Sequence, residues 1–136
     1  MVMSAPKDSI PLTFTRRGDT CTAPLPPGLP LAHRWALDRC RFCLPAPAAL
    51  GRGLLLCGRR RMEVWLDDLE RLPQTSALRV VRLLAMVLEP PPRDRLELDV
   101  RLLRFAGIRT AARLTLLEDR TLLLTSPAGP PPAGQP

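Results

Sequence analysis

Four cysteines are the residues of this sequence whose type and spacing come closest to a chemical site. Cys40 and Cys43 are separated by two residues, the spacing at which two thiolates can share one zinc ion, and Cys21, Cys57 or His33 could complete a tetrahedron. Against this, a second close-spaced ligand pair is missing, and Cys57 ends a leucine-rich run in which free cysteine is a common small core residue. Zinc held by Cys40, Cys43, Cys21 and Cys57 is therefore one hypothesis, and reduced core thiols are the other.

Catalytic motifs are not apparent in the sequence. It contains no nucleophile elbow, phosphate loop, HExxH pair or dinucleotide fingerprint. The single histidine, His33, lies on the apolar side of an alternating segment, where packed histidines are more common than ligands or bases. The acidic residues Asp67, Asp68 and Glu70 fit the first turn of a helix, where the helix dipole favours them. We therefore expect a protein that is not an enzyme and uses no organic cofactor.

Positive charge is the second chemical feature of the chain. The formal net charge is +7 and the sequence pI is about 10.8. Residues 1–66 carry ten basic and four acidic residues, a balance of +6, whereas residues 67–136 carry ten and nine, a balance of +1. A basic surface is typical of proteins that bind nucleic acid. The distribution therefore predicts that any such contact is made by the N-terminal half.

The densest basic run is Gly58-Arg59-Arg60-Arg61, which has the composition of a hairpin tip. Guanidinium groups at such a tip can donate two hydrogen bonds to a phosphate, and compact basic runs are also read by the nuclear import machinery. Most of the five aromatic residues, Trp35 among them, fit core positions, so no stacking platform for bases is expected. The predicted contact residues for nucleic acid or import are Arg39, Arg41, Arg52, Arg59, Arg60 and Arg61.

Coding bias offers another explanation for the arginines. Lysine occurs once, tyrosine and asparagine are absent, and isoleucine occurs only at positions 10 and 108. These are the residues with A/T-rich codons, so a GC-rich genome would produce the same skew without any selection for phosphate binding. The competing hypothesis is accordingly a protein-interaction or self-assembly module whose arginines have no binding role.

The elements that position these residues are predicted from hydrophobic periodicity. In the N-terminal half, alternation predicts a strand over residues 10–15 and another over residues 31–37 with Trp35 facing the core. Residues 53–57 and 61–66 are interpreted as two short strands, with the turn at residues 58–60 between them. The sequence thus predicts that the basic run occupies the tip of a hairpin.

The C-terminal half is predicted to contain two helices followed by a sheet. Residues 67–72 favour a short helix, and residues 75–89 favour a central core helix with sheet on more than one side. Strict alternation over residues 95–102, followed by strand patterns at 109–117 and 121–125, predicts a three-stranded antiparallel meander.

The predicted fold class is therefore α+β, with antiparallel strands packed on a central buried helix. One domain is expected over residues 10–125, with a flexible N-terminus at residues 1–9 and a disordered Pro/Ala/Gly-rich tail at residues 126–136. The N-terminal residues lack the pattern of a secretory signal, which favours an intracellular protein with reduced thiols. No apolar run approaches the roughly 18 residues of a membrane-spanning helix, so no membrane contact is expected.

Two segments carry a resemblance to a known family. Residues 24–30, PLPPGLP, and residues 51–73, GRGLLLCGRRRMEVWLDDLERLP, resemble the adenovirus U exon proteins, and the similarity extends over roughly residues 10–90. The resemblance implies a small accessory protein of a GC-rich DNA virus that acts during replication or late gene expression. It places the protein in the host nucleus, with the nucleolus as one candidate compartment, and implies viral or host nuclear proteins as partners. It supplies no active-site residues.

Overall fold

Two antiparallel β-sheets and four α-helices make up the part of the chain that the computed structural model describes, residues 9–71 and 76–127. The strands are β1 (Ser9–Thr13), β2 (Thr15–Arg17), β3 (Thr20–Pro24), β4 (Phe42–Pro45), β5 (Leu54–Cys57), β6 (Met86–Val87), β7 (Arg95–Asp99), β8 (Ala111–Leu116) and β9 (Leu122–Thr125). The helices are α1 (Leu31–Arg39), α2 (Arg59–Glu70), α3 (Ser76–Leu84) and α4 (Val100–Phe105). The α+β class and the antiparallel strands are confirmed.

The predicted termini fall mostly outside the described residues. Residues 1–8 and 128–136 are not described, so the flexible N-terminus and most of the tail stay predictions. Ser9 already belongs to β1, where it pairs with Thr115 of β8.

The strands form one sheet of six in the order β1-β8-β9-β5-β4-β6 and one of three in the order β2-β3-β7. The last two predicted strands form the β8–β9 hairpin. The strand Arg95–Asp99 also forms, but it pairs with β3 instead of β8, so the meander is reduced to two neighbouring strands. Alternation identifies the buried face of a strand but not its partner. Here Leu96 and Leu98 lie opposite Ala23 and Cys21 of β3.

The main hydrophobic core contains buried side chains from both sheets, α1 and α4. Leu54 and Leu56 contribute from β5, and Leu102 and Leu103 contribute from α4. A second, smaller core lies against the other face of β4 and β5, where α2 and α3 cover Leu44, Leu55 and Cys57 with Leu69 and Val81. Strand β5 is therefore buried on both faces, which explains why its sequence is a continuous apolar run.

The predicted strand over residues 31–37 is wrong, because this segment is helix α1. The buried residues of α1 are His33, Ala36 and Leu37, which recur at helical spacing. Trp35 was expected in the core, but its side chain is 54% exposed. The apparent alternation combined two faces of the helix, one packed on the sheet and one in solvent.

The predicted strand over residues 61–66 and the turn before it are also wrong. Residues 59–70 form one helix, α2, which includes most of the short helix predicted at 67–72. Met62, Trp65, Leu66 and Leu69 pack on the second core at the spacing of one helix face. Because α2 begins directly after Gly58, the basic run lies in the first turn of a helix instead of at a hairpin tip.

The helix predicted over residues 75–89 is shorter and less buried than expected. Helix α3 covers Ser76–Leu84, and the chain then forms the short edge strand β6. Val81 is its only buried residue among those described, and Leu83 is 71% exposed. Helix α3 covers one side of the second core, and none of the described strands packs on its outer side. The prediction of a core helix with sheet on more than one side is therefore wrong.

Gly53, just before β5, should tolerate no larger side chain. A Cβ atom at this position would lie 2.7 Å from the carbonyl oxygen of Leu124 in β9. We expect Gly53→Ala to destabilise the protein by about 1–3 kcal/mol, because the backbone of β9 must move away from its neighbour. Gly28→Ala is the matched control, since a Cβ there meets no atom within 4 Å. Equal urea unfolding midpoints for the two variants would contradict this close approach.

Candidate nucleic-acid interface

The first turn of α2 holds three arginines at the positive end of the helix dipole. Gly58 is the N-cap residue, and the first turn contains no acidic residue. Arg59 and Arg60 are exposed, whereas Arg61 is partly buried. Positive side chains are unfavourable for a helix at this end. Their charges add to that of the free amide groups and produce a strongly positive surface.

The end of α1 lies against the start of α2. A Cβ atom on Gly58 would be 3.2 Å from the carbonyl oxygen of Arg39. The backbone amide of Arg41 donates to the carbonyl oxygen of Cys57, at 2.9 Å. The Nη1 atom of Arg41 donates to the carbonyl oxygens of Asp38 and Cys40, each at 3.0 Å. These two hydrogen bonds place the exposed Arg41 side chain against the end of α1. Arg39 and Arg41 therefore adjoin the basic turn.

The turn between β8 and β9 contributes to the same region. The Nε atom of Arg61 donates to Oδ2 of Asp119 at 3.1 Å. Burial alone would raise the pKa of Asp119, but hydrogen bonds from Thr121 together with the charge of Arg61 hold it below its ordinary value. The next residue, Arg120, is exposed and has a positive φ of 67°. Arg120 is not among the contact residues predicted from the sequence, because no local pattern connects it with the basic run.

Arg52 does not belong to this region. It precedes β5, at the opposite end of the strand from Gly58, and its Nε donates to the carbonyl oxygen of Phe105 at 3.0 Å. The guanidinium covers Gly107, where a Cβ atom would lie 3.0 Å from the Arg52 Cζ. Arg52 therefore stabilises the end of α4.

The structure thus brings together five of the six predicted arginines, of which Arg61 is engaged with Asp119. The exposed arginines carried by these adjoining segments, here called the arginine surface, are Arg39, Arg41, Arg59, Arg60 and Arg120. Three sequence-distant segments supply them, so their convergence depends on the fold.

An apolar groove lies between α1 and the β8–β9 turn, beside the arginine surface. Its volume is about 510 Å³. Leu31, Trp35 and Arg39 line one wall from α1, where the spacing of four residues places them on one face. Leu116 and Leu117 line the other wall, and the rim is formed by Glu118 and Arg120. The sequence pattern places Trp35 in the core and not among the contact residues. The helical spacing of positions 31, 35 and 39 is the signal that would have identified the groove-lining face of α1.

The cysteines are distributed over the two cores. Cys43 lies in the main core and Cys57 in the second core, on opposite faces of the six-stranded sheet. Cys21 belongs to the three-stranded sheet, and the Cys40 thiol donates to the carbonyl oxygen of Ala36 at 3.2 Å. Residues 9–71 and 76–127 contain no group of three or more histidine, cysteine or acidic side chains placed to hold a metal.

Burial raises the pKa of Cys40 and that of Cys57 to about 12, and it also raises the pKa of Cys21 and of Cys43. Zinc would have to displace the proton of each of these thiols on binding. Cys43 and Cys57 also lie on opposite faces of the sheet. This placement does not support the zinc site predicted from spacing, which stays a prediction.

The other polar candidates are separated from the arginine surface. His33 is 2% exposed within α1. Asp67, Asp68 and Glu70 lie in the last turns of α2, so their predicted position at a helix start is wrong. All three acids are exposed.

None of the helices described in the structure is long and apolar enough to cross a membrane. No protein-family model, curated protein or solved structure matches the chain. The arrangement of charge and exposed aromatic surface is accordingly the basis for a functional interpretation.

Proposed function

We propose that this chain is a non-enzymatic nucleic-acid-binding protein whose arginine surface contacts the phosphate backbone. The observation that carries the proposal is the convergence of exposed arginines from α1, α2 and the β8–β9 turn. Among the described residues, none of the arginines of this surface forms an ion pair. No carboxylate therefore competes with a ligand for these guanidinium groups, although Nη1 of Arg41 already donates to the carbonyl oxygens of Asp38 and Cys40.

Phosphate recognition fits the chemistry of this surface. Arginine presents a planar fork of donors that matches two phosphate oxygens, and such contacts position a protein on nucleic acid without reading its sequence. Each neutralised phosphate also releases counterions, which makes the affinity dependent on salt. The surface accordingly supports binding to many sequences.

The resemblance to the adenovirus U exon proteins supports the wider role. It favours an accessory protein of a GC-rich DNA virus, located in the host nucleus and active during replication or late gene expression. A basic surface in the same segment, residues 51–73, agrees with that context. Imaging of the tagged protein in infected cells would test the location.

The second candidate is a protein-interaction or self-assembly module. Leu83 on α3 and Val87 on the edge strand β6 are 71% and 55% exposed, which favours this alternative. An unmodified protein that binds no oligonucleotide at low salt would support it over the nucleic-acid proposal.

Replacing Arg59 and Arg60 by glutamine should weaken binding to all oligonucleotides without unfolding the protein. Both side chains are exposed, and their loss removes like charge from the positive end of α2. The slope of log affinity against log salt should fall by about one unit for each lost contact. Fluorescence anisotropy with labelled oligonucleotides at several salt concentrations measures both quantities.

The matched control is Arg16→Gln with Arg17→Gln, which removes the same charge from the exposed strand β2. If both double variants lose affinity equally, net charge explains binding and the localised surface is refuted. If binding is unchanged and only nuclear accumulation falls, the basic turn is an import signal.

A further inference from the structure

We infer that the groove between α1 and the β8–β9 turn receives one unstacked base of a single-stranded nucleic acid, with Trp35 as the stacking partner. This inference rests on the proposed function and specifies the form of nucleic acid that is bound. Its basis is the exposed indole of Trp35 directly beside two residues of the arginine surface, Arg39 and Arg120.

Trp35 is held in place by the helix that carries it. The opposite face of α1 buries His33, Ala36 and Leu37, which fixes the helix on the sheet. The indole nevertheless remains 54% exposed, an unusual position for the largest apolar side chain. An aromatic ring on a rigid element offers a stacking surface with little loss of conformational entropy on binding.

The groove has the size and lining of a site for a planar ligand. Its volume of about 510 Å³ lies within the range of small-ligand pockets, and its walls are mainly apolar. Leu116 and Leu117 line the side of the groove opposite α1. A base inserted here would lose contact with water on both sides and stack on Trp35.

Charge at the rim selects a nucleic acid as the occupant. Arg39 and Arg120 line the groove, and Arg59 and Arg60 lie in the first turn of α2, which adjoins the end of α1 at Gly58. Phosphates that flank an inserted base would lie against these guanidinium groups. Glu118 also lines the rim and repels phosphate, so the backbone is placed on the arginine side.

The site distinguishes single strands from duplexes. Bases in a duplex are stacked and paired, whereas those of a single strand can turn outward onto an aromatic side chain. The arginine surface contacts backbone in either form. Trp35 therefore adds affinity for single strands alone.

The test compares Trp35→Ala and Trp35→Phe with the matched control Trp65→Phe. Trp65 is partly buried, and its Nε1 donates to the carbonyl oxygen of Pro45 at 3.4 Å. Trp35→Ala should weaken binding to an oligothymidylate by about 5- to 100-fold and leave affinity for a duplex of equal length and the salt slope unchanged. Trp35→Phe should retain most of the affinity, because phenylalanine keeps a stacking face.

Tryptophan fluorescence provides an independent measurement. The chain contains two tryptophans, so in Trp65→Phe the only indole is that of Trp35. Its emission should be quenched by saturating oligothymidylate and be little changed by the duplex.

The outcomes separate this inference from the proposed function. Unchanged single-strand affinity in Trp35→Ala, or equal loss for single strand and duplex, overturns the base site. If Arg59→Gln with Arg60→Gln lowers affinity as expected at the same time, phosphate binding stands without it. If neither form of nucleic acid binds the parent protein, both proposals fail.

Discussion

Leu56→Ala should lower the free energy of unfolding by about 2–5 kcal/mol. Leu56 has no exposed surface and lies in the middle of β5, between Cys43 of β4 and Leu122 of β9. Truncation leaves a cavity in the main core, and the strands on either side prevent the site from collapsing. Urea unfolding followed by circular dichroism measures the loss as a shift of the midpoint at constant slope.

Leu83→Ala is the control, since the same side chain on α3 is 71% exposed. We expect this surface substitution to change stability by no more than about 0.5 kcal/mol. A larger loss of stability for Leu83→Ala than for Leu56→Ala would contradict the packing of the two sheets around Leu56.

The native thiols should react much more slowly than exposed thiols at pH 8. The thiolate is the reactive species, and burial raises the pKa of Cys40 and that of Cys57 from 9.0 to about 12. Cys21 and Cys43 are buried as well. Labelling with a thiol reagent should therefore be slow in the native protein, and all four cysteines should react promptly in denaturant.

Ser76→Cys supplies the positive control, because position 76 is exposed at the start of α3. Its added thiol should be labelled rapidly while the native ones stay protected. Rapid labelling of the parent protein would contradict the burial of its cysteines. Protection that disappears on addition of a chelator, with about one equivalent of zinc in the purified protein, would instead establish the metal site predicted from the spacing of Cys40 and Cys43.

Strands were predicted well where their own sequence decides their structure. Residues 10–15 and 95–102 alternate, the β8–β9 hairpin has a turn at Glu118-Asp119, and β5 is an apolar run. The predicted end of the second strand is wrong, because helix α4 begins at Val100. Alternation does not identify the partner of each strand. Strand β7 therefore pairs with β3, at a distance in sequence that no local pattern describes.

The helices α1 and α2 were misassigned because a short apolar pattern can satisfy two periods. Leu31 and Trp35 are exposed on α1, so their presence made a helical segment resemble a half-buried strand. In α2, exposed Val64 stands between partly buried Met62 and Leu66 and completes a false alternation. Only packing on the sheet decides between the two periods.

The candidate site was partly accessible to sequence reasoning. The basic run at Arg59 and Arg60 and the flanking Arg39 and Arg41 were identified from charge alone. Arg120 and Trp35 were not, because the first is brought in by the β8–β9 turn and the second depends on α1 being a helix. Arg52 was included because it is close to the basic run in sequence. In the structure, strand β5 lies between Arg52 and Gly58 and separates Arg52 from the site.

The position of β9 in the six-stranded sheet determines when this protein can fold. β9 is the last strand of the described residues, yet it lies between β8 and β5 and joins the two halves of the sheet. β1 in turn requires β8, which is about a hundred residues away. Such high contact order slows folding. During synthesis β4 and β5 can pair with each other, but β1 and the other edge of β5 must wait for β8 and β9 until residue 125 has left the ribosome. In this period the unpaired edges are exposed to aggregation and to chaperones.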